Sequence, residues 1–455
     1  ISPDGQYVIF TKKFIDKKND KRVTEHWIME SNGSNKRFFV KGSNPKWSPS
    51  SKKVAYVKED ENGKSQIYVK NLSNESVTKI TNFKDNVEDF SWSPDGEYFA
   101  FAAFQEYEDD WIIEIPGKIE GNEYNWTEEP KVITTMHWRA DGVGELESGE
   151  NHLYLVNSSG GAAIKVSEWG LDYIADLQWL NNFQLLFSGN DSLDDLQTPW
   201  KQSGVFLLNI KNKKLEKISN KDGVFMTPKA SVDGKKIAFI GHPSKDYSSV
   251  AHDVYVRDIT TDQNKQLTKN LSSSPNNLFW LSENQLAFDL DERGSSKVMQ
   301  LNIDNLKLAE LISGFTEQFF LSSVNQKDLY GTYITPDRPG EVAAIKKAKL
   351  EILTEFNELV LGQYDFGKTN EINYQAPDGT SIQGWYITPP NFDKDKKYPL
   401  ILLIHGGPHA MYRPAFNYSR HQFASDGYVV LFTNPRGSTG YGSEFANVID
   451  NDYPG

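Results

Sequence analysis

The chain has 455 residues, 49 Lys and Arg against 62 Asp and Glu for a formal charge of −13, and no cysteine. That length gives room for two or three domains and at least one large core. Lack of cysteine excludes disulfides, a thiolate nucleophile, Cys-ligated zinc and iron–sulfur clusters, and the acidic balance argues against a general nucleic-acid binder.

The sequence opens on Ile1-Ser2-Pro3-Asp4-Gly5, without an initiating Met or a signal peptide, so cytoplasm and periplasm both stay open. The longest apolar runs, Leu400 to Ile404 and Val429 to Phe432, are far below the roughly 18 residues of a membrane helix, and no membrane insertion is expected.

Most of the first 335 residues alternate apolar and polar over short runs bounded by Gly, Asp, Asn and Ser, as at Tyr7 to Phe10, Val54 to Val57, Tyr98 to Phe101 and Leu153 to Val156. Such runs predict short strands. A turn motif recurs with them: Ser2-Pro3-Asp4-Gly5, Trp47-Ser48-Pro49-Ser50 and Trp92-Ser93-Pro94-Asp95-Gly96, about 45 residues apart. Degenerate copies follow at Trp179, at Ser231-Val232-Asp233-Gly234, at Trp280 and at Ser323. A period of 40 to 50 residues with about four strands per unit predicts a β-propeller, because one small sheet cannot bury its own face and a ring of them can. Seven copies predict seven blades, the first incomplete at its start. The 87 residues from Trp92 to Trp179 must hold an insertion or a further blade, so an eight-bladed ring is the alternative. A short apolar stretch from Val342 to Leu353 reads as a helix or as loop plus strand.

The composition changes after Asn370. Ile382 to Ile387, Tyr398 to Ile404, the Gly406-Gly407-Pro408 loop, a helix over Pro414 to Ser425 with Gly427 beyond it, and Tyr428 to Phe432 read as the opening of an α/β unit whose strands are buried on both faces. The predicted organisation is a propeller over 1–370 and the N-terminal portion of an α/β-hydrolase domain over 371–455.

Two segments carry the candidate chemistry. His405-Gly406-Gly407-Pro408-His409 follows a strand, and glycines there let backbone N–H groups approach a carbonyl oxygen that turns negative in acyl transfer. Gly407 is the better donor; a plain strand-to-helix turn is the alternative. A metal site on His405 and His409 is disfavoured because Gly-Gly-Pro cannot form the helical turn that aligns an i, i+4 pair. Asn434-Pro435-Arg436-Gly437-Ser438-Thr439-Gly440-Tyr441-Gly442 contains a near-match to the nucleophile elbow G-x-S-x-G, but its first position is Arg436, so Ser438 is read as a turn residue, with Arg436 bonding carbonyls or a carboxylate. No serine sits in a true G-x-S-x-G.

Elsewhere, Arg139 and Asp141 suit either a substrate-facing hairpin or an ion pair closing an insertion. The acidic run from Glu106 to Asp110 reads first as a solvated loop and second as an amine-binding rim. The recurring tryptophans read as packing between sheets. Apart from the 405/409 pair, none of the eight histidines has a metal-site or catalytic spacing, and no cofactor or metal is expected.

The Trp-Ser-Pro-Asp-Gly turns, Trp138-Arg139-Ala140-Asp141-Gly142, Asp378-Gly379 with Ile382-Gln383-Gly384-Trp385, the His-Gly-Gly-Pro loop and the Asn-Pro-Arg-Gly-Ser-Thr-Gly-Tyr-Gly segment, in this order, resemble the prolyl oligopeptidase superfamily of serine peptidases, in its acylaminoacyl-peptidase and bacterial dipeptidyl-peptidase-like branch. The resemblance implies a propeller capping an α/β-hydrolase domain and a Ser–Asp–His triad acting on short peptides through an acyl-enzyme. It also implies that Gly407 supplies half of the oxyanion hole, with His405, Gly406, Pro408, Arg436 and Tyr441 as the supporting loops. The same resemblance places the whole triad after Gly455, so the 455 residues alone are expected to be inactive. No tandem glutamates align with the amine-binding pair of dipeptidyl peptidases, which leaves aminopeptidase, dipeptidyl-peptidase and endopeptidase specificities open, with a homo-oligomer of the full-length protein also open. A non-enzymatic propeller binding module and an esterase of the same fold are the rival functions.

Overall fold

A computed structural model describes residues 1–107, 133, 138–190, 202–220, 222–245, 247–312, 317–325 and 328–452. His137 and the 108–110 part of the acidic run lie outside the described residues.

The propeller region consists of small antiparallel sheets laid down in chain order. Three strands, Tyr7–Asp16, Lys21–Glu30 and Arg37–Val40, form the first sheet, and four-stranded sheets begin at Ser43–Trp47, Asp89–Trp92, Ile174–Asn181 and Gly223–Ala230. The sheets starting at Pro275–Ser282 and Gln318–Asn325 are joined by one parallel bridge, Ser296 to Gln318. No sheet owns a core. Phe90, Phe99 and Phe101 of one sheet bury against Ala55 and Ile67 of the sheet before it. Leu186 and Val205 meet Phe225 and Phe239 of the next in the same way. Val8, Phe10 and Met29 pack on Tyr330, Ala344 and Leu353, which closes the last sheet on the first. Each fully buried Phe contributes roughly 1.5–3 kcal/mol, and it does so only while its neighbouring sheet is in place.

The turn motif works through its hydroxyl and carboxylate. Ser93 Oγ donates to Asp95 Oδ1 (2.6 Å) and accepts from Tyr98 N (2.9 Å), while Asp95 accepts from Glu97 N (3.0 Å) and Gly96 takes φ +76°. The degenerate copy keeps the same bonds with Ser231, Asp233 and Lys236 N, at 2.7 and 2.9 Å, and Gly234 at φ +67°. Proline is therefore dispensable there, with Val232 in its place, and at Ser48 the aspartate is replaced by Ser50, whose hydroxyl lies 3.2 Å from Ser48 Oγ while Ser48 Oγ still accepts from Lys53 N at 3.1 Å, so the serine is the shared part. Ser93 and Ser231 hold the Asp95 and Asp233 carboxyls below the usual carboxylate range.

The recurring tryptophans do more than pack. Trp92 Nε1 donates to Lys46 O (3.2 Å), Trp179 Nε1 to Ser91 O (3.3 Å) and Trp280 Nε1 to Lys229 O (2.8 Å). Each indole thus ties its own first strand to the carbonyl at the same position of the preceding sheet.

The surplus between Trp92 and Trp179 is an insertion inside one sheet. Tyr98–Glu106 pairs with Gly149–Asn157 from Tyr98↔Asn157 to Glu106↔Gly149, so residues 107–148 leave and re-enter between adjacent strands. The stretch read as helix or strand from Val342 to Leu353 is a hairpin, Glu341–Lys346 with Lys349–Ile352, turned by Lys347 and Ala348 at positive φ.

After residue 368 the chain builds a mixed sheet in the order Thr369–Gln375, Ser381–Ile387, Val429–Asn434, Leu400–Leu403, whose last pair is parallel. The helix expected from Pro414 begins later, at Tyr418, and runs to Ser425. Asn417, not Pro414, caps it, its side chain accepting from Arg420 N at 3.0 Å, while Phe416 N is held by Thr335 O of the propeller. Trp385, Ile387, Val430 and Phe432 pack under Ala424 of this helix. The expectation that Leu400–Ile404 is buried on both faces does not hold: Leu400, Leu402 and Ile404 are exposed, because the strand lies at the sheet edge and the helix covers only the other face.

Trp179→Phe should retain the packing and lose the indole bond, costing about 1 kcal/mol. Trp179→Ala should cost about 3–5 kcal/mol. Urea unfolding of the three proteins measures both, and a Trp179→Phe protein as stable as the parent would remove the hydrogen bond from the account.

Candidate functional site

Two loops leave the parallel strand pair side by side. The first, residues 404–412, carries His-Gly-Gly-Pro; the second, residues 434–442, carries Asn-Pro-Arg-Gly-Ser-Thr-Gly-Tyr-Gly. They are stitched together at successive points. His405 Nε2 lies 3.0 Å from Ser438 Oγ, and His409 Nδ1 3.0 Å from Gly437 O. Thr439 N donates to Ala410 O (3.0 Å), and Tyr412 N donates to Asn434 Oδ1 (2.7 Å). No group of three or more His, Asp or Glu side chains in metal-ligating arrangement includes His405 or His409 among the described residues.

Gly407 sits at the crest, exposed, at φ +140° and followed by a cis peptide to Pro408. A Cβ there would come within 2.7 Å of His409 N, so the loop requires glycine at this point. Among the described residues no group accepts from the Gly407 N–H. Pro408 O accepts from Ala410 N at 2.9 Å, which keeps the turn tight.

Ser438 is fully buried, and its hydroxyl donates to Pro435 O at 2.6 Å. The near-match to an elbow is thus a closed turn with no nucleophile presented. Arg436 meets a carboxylate, Asp378, at 2.7 Å, with both side chains about 40 % exposed, so this pair contributes little stability. Tyr441 is half-buried, its hydroxyl donates to Gln383 Oε1 (2.7 Å) and accepts from Asn434 Nδ2 (2.8 Å), and desolvation pushes the phenol up to about 12. Arg139 and Asp141 are exposed on the small hairpin Arg139–Ala140 with Gly144–Glu145, where Arg139 pairs in register with Glu145. No hydrogen bond or ion pair joins either residue to the 404–412 loop among the described residues.

Three contributors escaped sequence reasoning. Asn434 and Gln383 both stand in quoted motifs, but nothing in their spacing marks a buried amide as a bridge between loops. The third is the propeller side of the site. Its Arg293–Gly294 turn lies against the mixed sheet and its loops: Arg293 N donates to Gly440 O (3.0 Å), and a Cβ on Gly294 would strike the Trp385 ring at 2.3 Å. Asp291 pairs with Arg413, which follows the His-Gly-Gly-Pro loop. Ser248 bonds His409 Nε2 at 2.8 Å and Asp450, and Asn447 bridges Ser249 N (2.9 Å) and Ser249 O (2.6 Å). Between the two parts lies a cavity of about 200 Å³ lined by Ser249, Ser272, Asp291, Thr439, Gly440 and Ser443.

With that geometry in hand, the comparisons with known proteins converge. A model of the TolB β-propeller domain matches residues 5–189, and a model of the prolyl oligopeptidase family matches residues 414–455. The architecture is that of the prolyl oligopeptidase family of serine peptidases. The chain is 26% identical to the uncharacterized peptidase YuxL of Bacillus subtilis, over all of this chain and 71% of that protein. It is 24% identical to dipeptidyl-peptidase 5 of Schizosaccharomyces pombe, over all of this chain and 68% of that one. Among solved structures, an acylaminoacyl peptidase bound to Z-Gly-Gly-Phe-chloromethyl ketone superposes with TM-score 0.78 at 21% identity. The acylaminoacyl peptidase of Pyrococcus horikoshii gives 0.77, also at 21%. Both cover 97% of this chain, which in turn spans 65% of each of them. A puromycin-hydrolyzing peptidase of Mycobacterium tuberculosis gives 0.68 at 13%.

The docking of the two parts carries a pH signature. Asp289 is buried beside the Asp291–Arg413 pair with Oδ1 unpartnered, and its Oδ2 accepts from Asn277 Nδ2 at 3.2 Å. Burial pushes its carboxyl up to about 7, with Asp291 adding to the rise and Asn277 and Arg413 opposing it. The folded protein keeps this proton where an unfolded aspartate has lost it, so the contribution of Asp289 to stability falls as pH rises from about 4 to about 7. Asp289→Asn should remove that slope, raising stability at pH 8 relative to pH 5 by on the order of 2–4 kcal/mol against the parent chain. Urea midpoints at the two pH values read it, and parallel pH profiles would contradict it.

Proposed function

We propose that this chain is the propeller, with seven blades over residues 1–370, and the opening part, residues 371–455, of the catalytic domain of a serine exopeptidase. Its substrates are short peptides of the acylaminoacyl or dipeptidyl type. The seven-blade reading draws on the recurrence of the Ser–Asp turn and of the sheet-to-sheet cores; the boundary near 370 draws on the change at Thr369 to a mixed sheet, in which Leu400–Leu403 and Val429–Asn434 are parallel. A homo-oligomer of the full-length protein belongs to this reading, as does a cytoplasmic or periplasmic site of action.

The observation that carries the proposal is the Gly407 N–H, unengaged among the described residues at the crest of a loop pinned along its length to the 434–442 turn. A serine Oγ supplied by the remainder of the catalytic domain attacks the scissile carbonyl carbon, and the carbonyl oxygen takes up the negative charge. Gly407 N–H donates to that oxygen together with the N–H after the serine. A histidine takes the serine proton and returns it to the departing amine; water then releases the acyl group by the reverse sequence. His405, Gly406, Pro408, Arg436 and Tyr441 act through the loops they hold. Arg139 and Asp141 stand as substrate-side residues at the propeller insertion.

The full-length protein should hydrolyse acyl-amino-acid or free-amino dipeptidyl chromogenic amides, and Gly407→Ala, which keeps the N–H but displaces it because its Cβ would strike His409 N, should lower kcat by up to on the order of 10²–10³-fold. The 455 residues alone should take no label from a serine-directed fluorophosphonate. Hydrolysis of simple esters only would favour an acyl hydrolase, and stoichiometric labelling of the 455 residues would overturn the assignment of chemistry to residues outside them.

A further inference from the structure

Asn434 is fully buried at the end of its strand, and its amide makes a two-point grip on the backbone of Tyr412: Oδ1 accepts from Tyr412 N at 2.7 Å and Nδ2 donates to Tyr412 O at 3.0 Å. The second Nδ2 hydrogen goes to Tyr441 Oη at 2.8 Å. Tyr441 spends its one proton on Gln383 Oε1 (2.7 Å), and Gln383 Nε2 donates to Glu371 Oε1 (2.9 Å). Both Asn434 Nδ2 hydrogens and the Tyr441 hydroxyl proton are thereby used once. Turning the Asn434 amide over would set Nδ2 against the Tyr412 N–H and Oδ1 against the Tyr412 carbonyl, so the network admits one orientation. It runs from a carboxylate on the Thr369–Gln375 strand, across the sheet, to the base of the loop that carries Gly407.

The grip holds the end of the loop, and the other anchors, including Ser248 Oγ to His409 Nε2 at 2.8 Å, hold its crest. Its exposed crest meets the neighbouring turn through His405 to Ser438, His409 to Gly437, and Ala410 to Thr439. Tyr412 is the point where the loop re-enters the packed region, with its ring edge-on to His405 at 5.2 Å and to Phe432 at 5.6 Å. A shift of the Tyr412 backbone moves both histidine anchors and, with them, the direction of the Gly407 N–H.

We propose that Asn434 and Tyr441 are positioning residues for the oxyanion donor, with the Glu371–Gln383–Tyr441–Asn434 chain fixing the register between the 404–412 and 434–442 loops. The catalytic consequence rests on the acyl-transfer reading; the fixing of the loop does not. A misplaced donor weakens binding to the developing oxyanion and leaves ground-state binding of a peptide unchanged, so the signature is a fall in kcat with KM preserved.

Three variants test it. Tyr441→Phe removes only the hydroxyl, Asn434→Asp keeps the acceptor and loses the donor to Tyr412 O, and Asn434→Ala loses both. In the 455-residue chain, amide hydrogen exchange of residues 405–412 should rise in the order Tyr441→Phe, Asn434→Asp, Asn434→Ala, with the propeller amides unchanged. In the full-length protein, kcat should fall about 10-fold for Tyr441→Phe and about 100-fold for Asn434→Ala, with KM within about twofold. Unchanged exchange at 405–412 would overturn the positioning role whether or not the enzyme is active. Altered exchange with losses confined to KM would overturn its catalytic part, and an inactive parent protein with altered exchange would count against the acyl-transfer reading alone.

Discussion

The close approach of the propeller turn at Gly294 to the ring of Trp385 is the constraint on which the rest of the site depends. A side chain at Gly294 would overlap the indole, so the turn and the strand meet only because one partner has no Cβ and takes φ +76°. Around that contact the polar groups fall into place. Gln318 donates to Gly294 O at 2.9 Å, Arg293 N reaches Gly440 O, and Asp291 meets Arg413. The propeller is thereby set against the 434–442 loop, and the small polar cavity between them is a consequence of two surfaces held a fixed distance apart.

The two parts use different means to the same end. In the propeller the cores lie between sheets, so no sheet is stable by itself, and the indole bonds from Trp92, Trp179 and Trp280 add a directional tie to each preceding strand. In the mixed sheet a stacked pair, Trp385 on Phe432 at 5.8 Å, packs beside Arg420, whose guanidinium lies 3.9 Å from the Phe432 ring and donates to Arg413 O. Burial lowers this guanidinium to about 10, which still leaves it charged at neutral pH. The same arginine therefore supports the aromatic layer below and the chain leading to the interdomain ion pair above.

Much of this was legible from residue order. Alternating runs located the strands, and the Ser–Asp turn located their spacing because its bonds are local and need only residues two to five apart. Where Pro or Trp had been replaced, the Ser231 turn still followed the rule, since hydroxyl and carboxylate carry it. The helix start was misread because Pro414 favours a first turn in isolation, whereas the tertiary bond from Phe416 N to Thr335 O keeps that stretch extended until Asn417. The tight turn at Gly407 was legible from the glycine pair. Asn434, Gln383 and Asp289 were not, because their roles rest on partners 22, 58 and 12 positions away that come together only in the fold.

The central claim is that the Gly407 N–H holds an oxyanion in acyl transfer. The direct measurement is the structure of the full-length protein with its nucleophilic serine covalently phosphonylated. The account predicts a phosphonyl oxygen about 2.7–3.1 Å from Gly407 N, with the 404–412 loop still bonded to Asn434. A phosphonyl oxygen beyond about 4 Å from that nitrogen and bonded to other donors would contradict it.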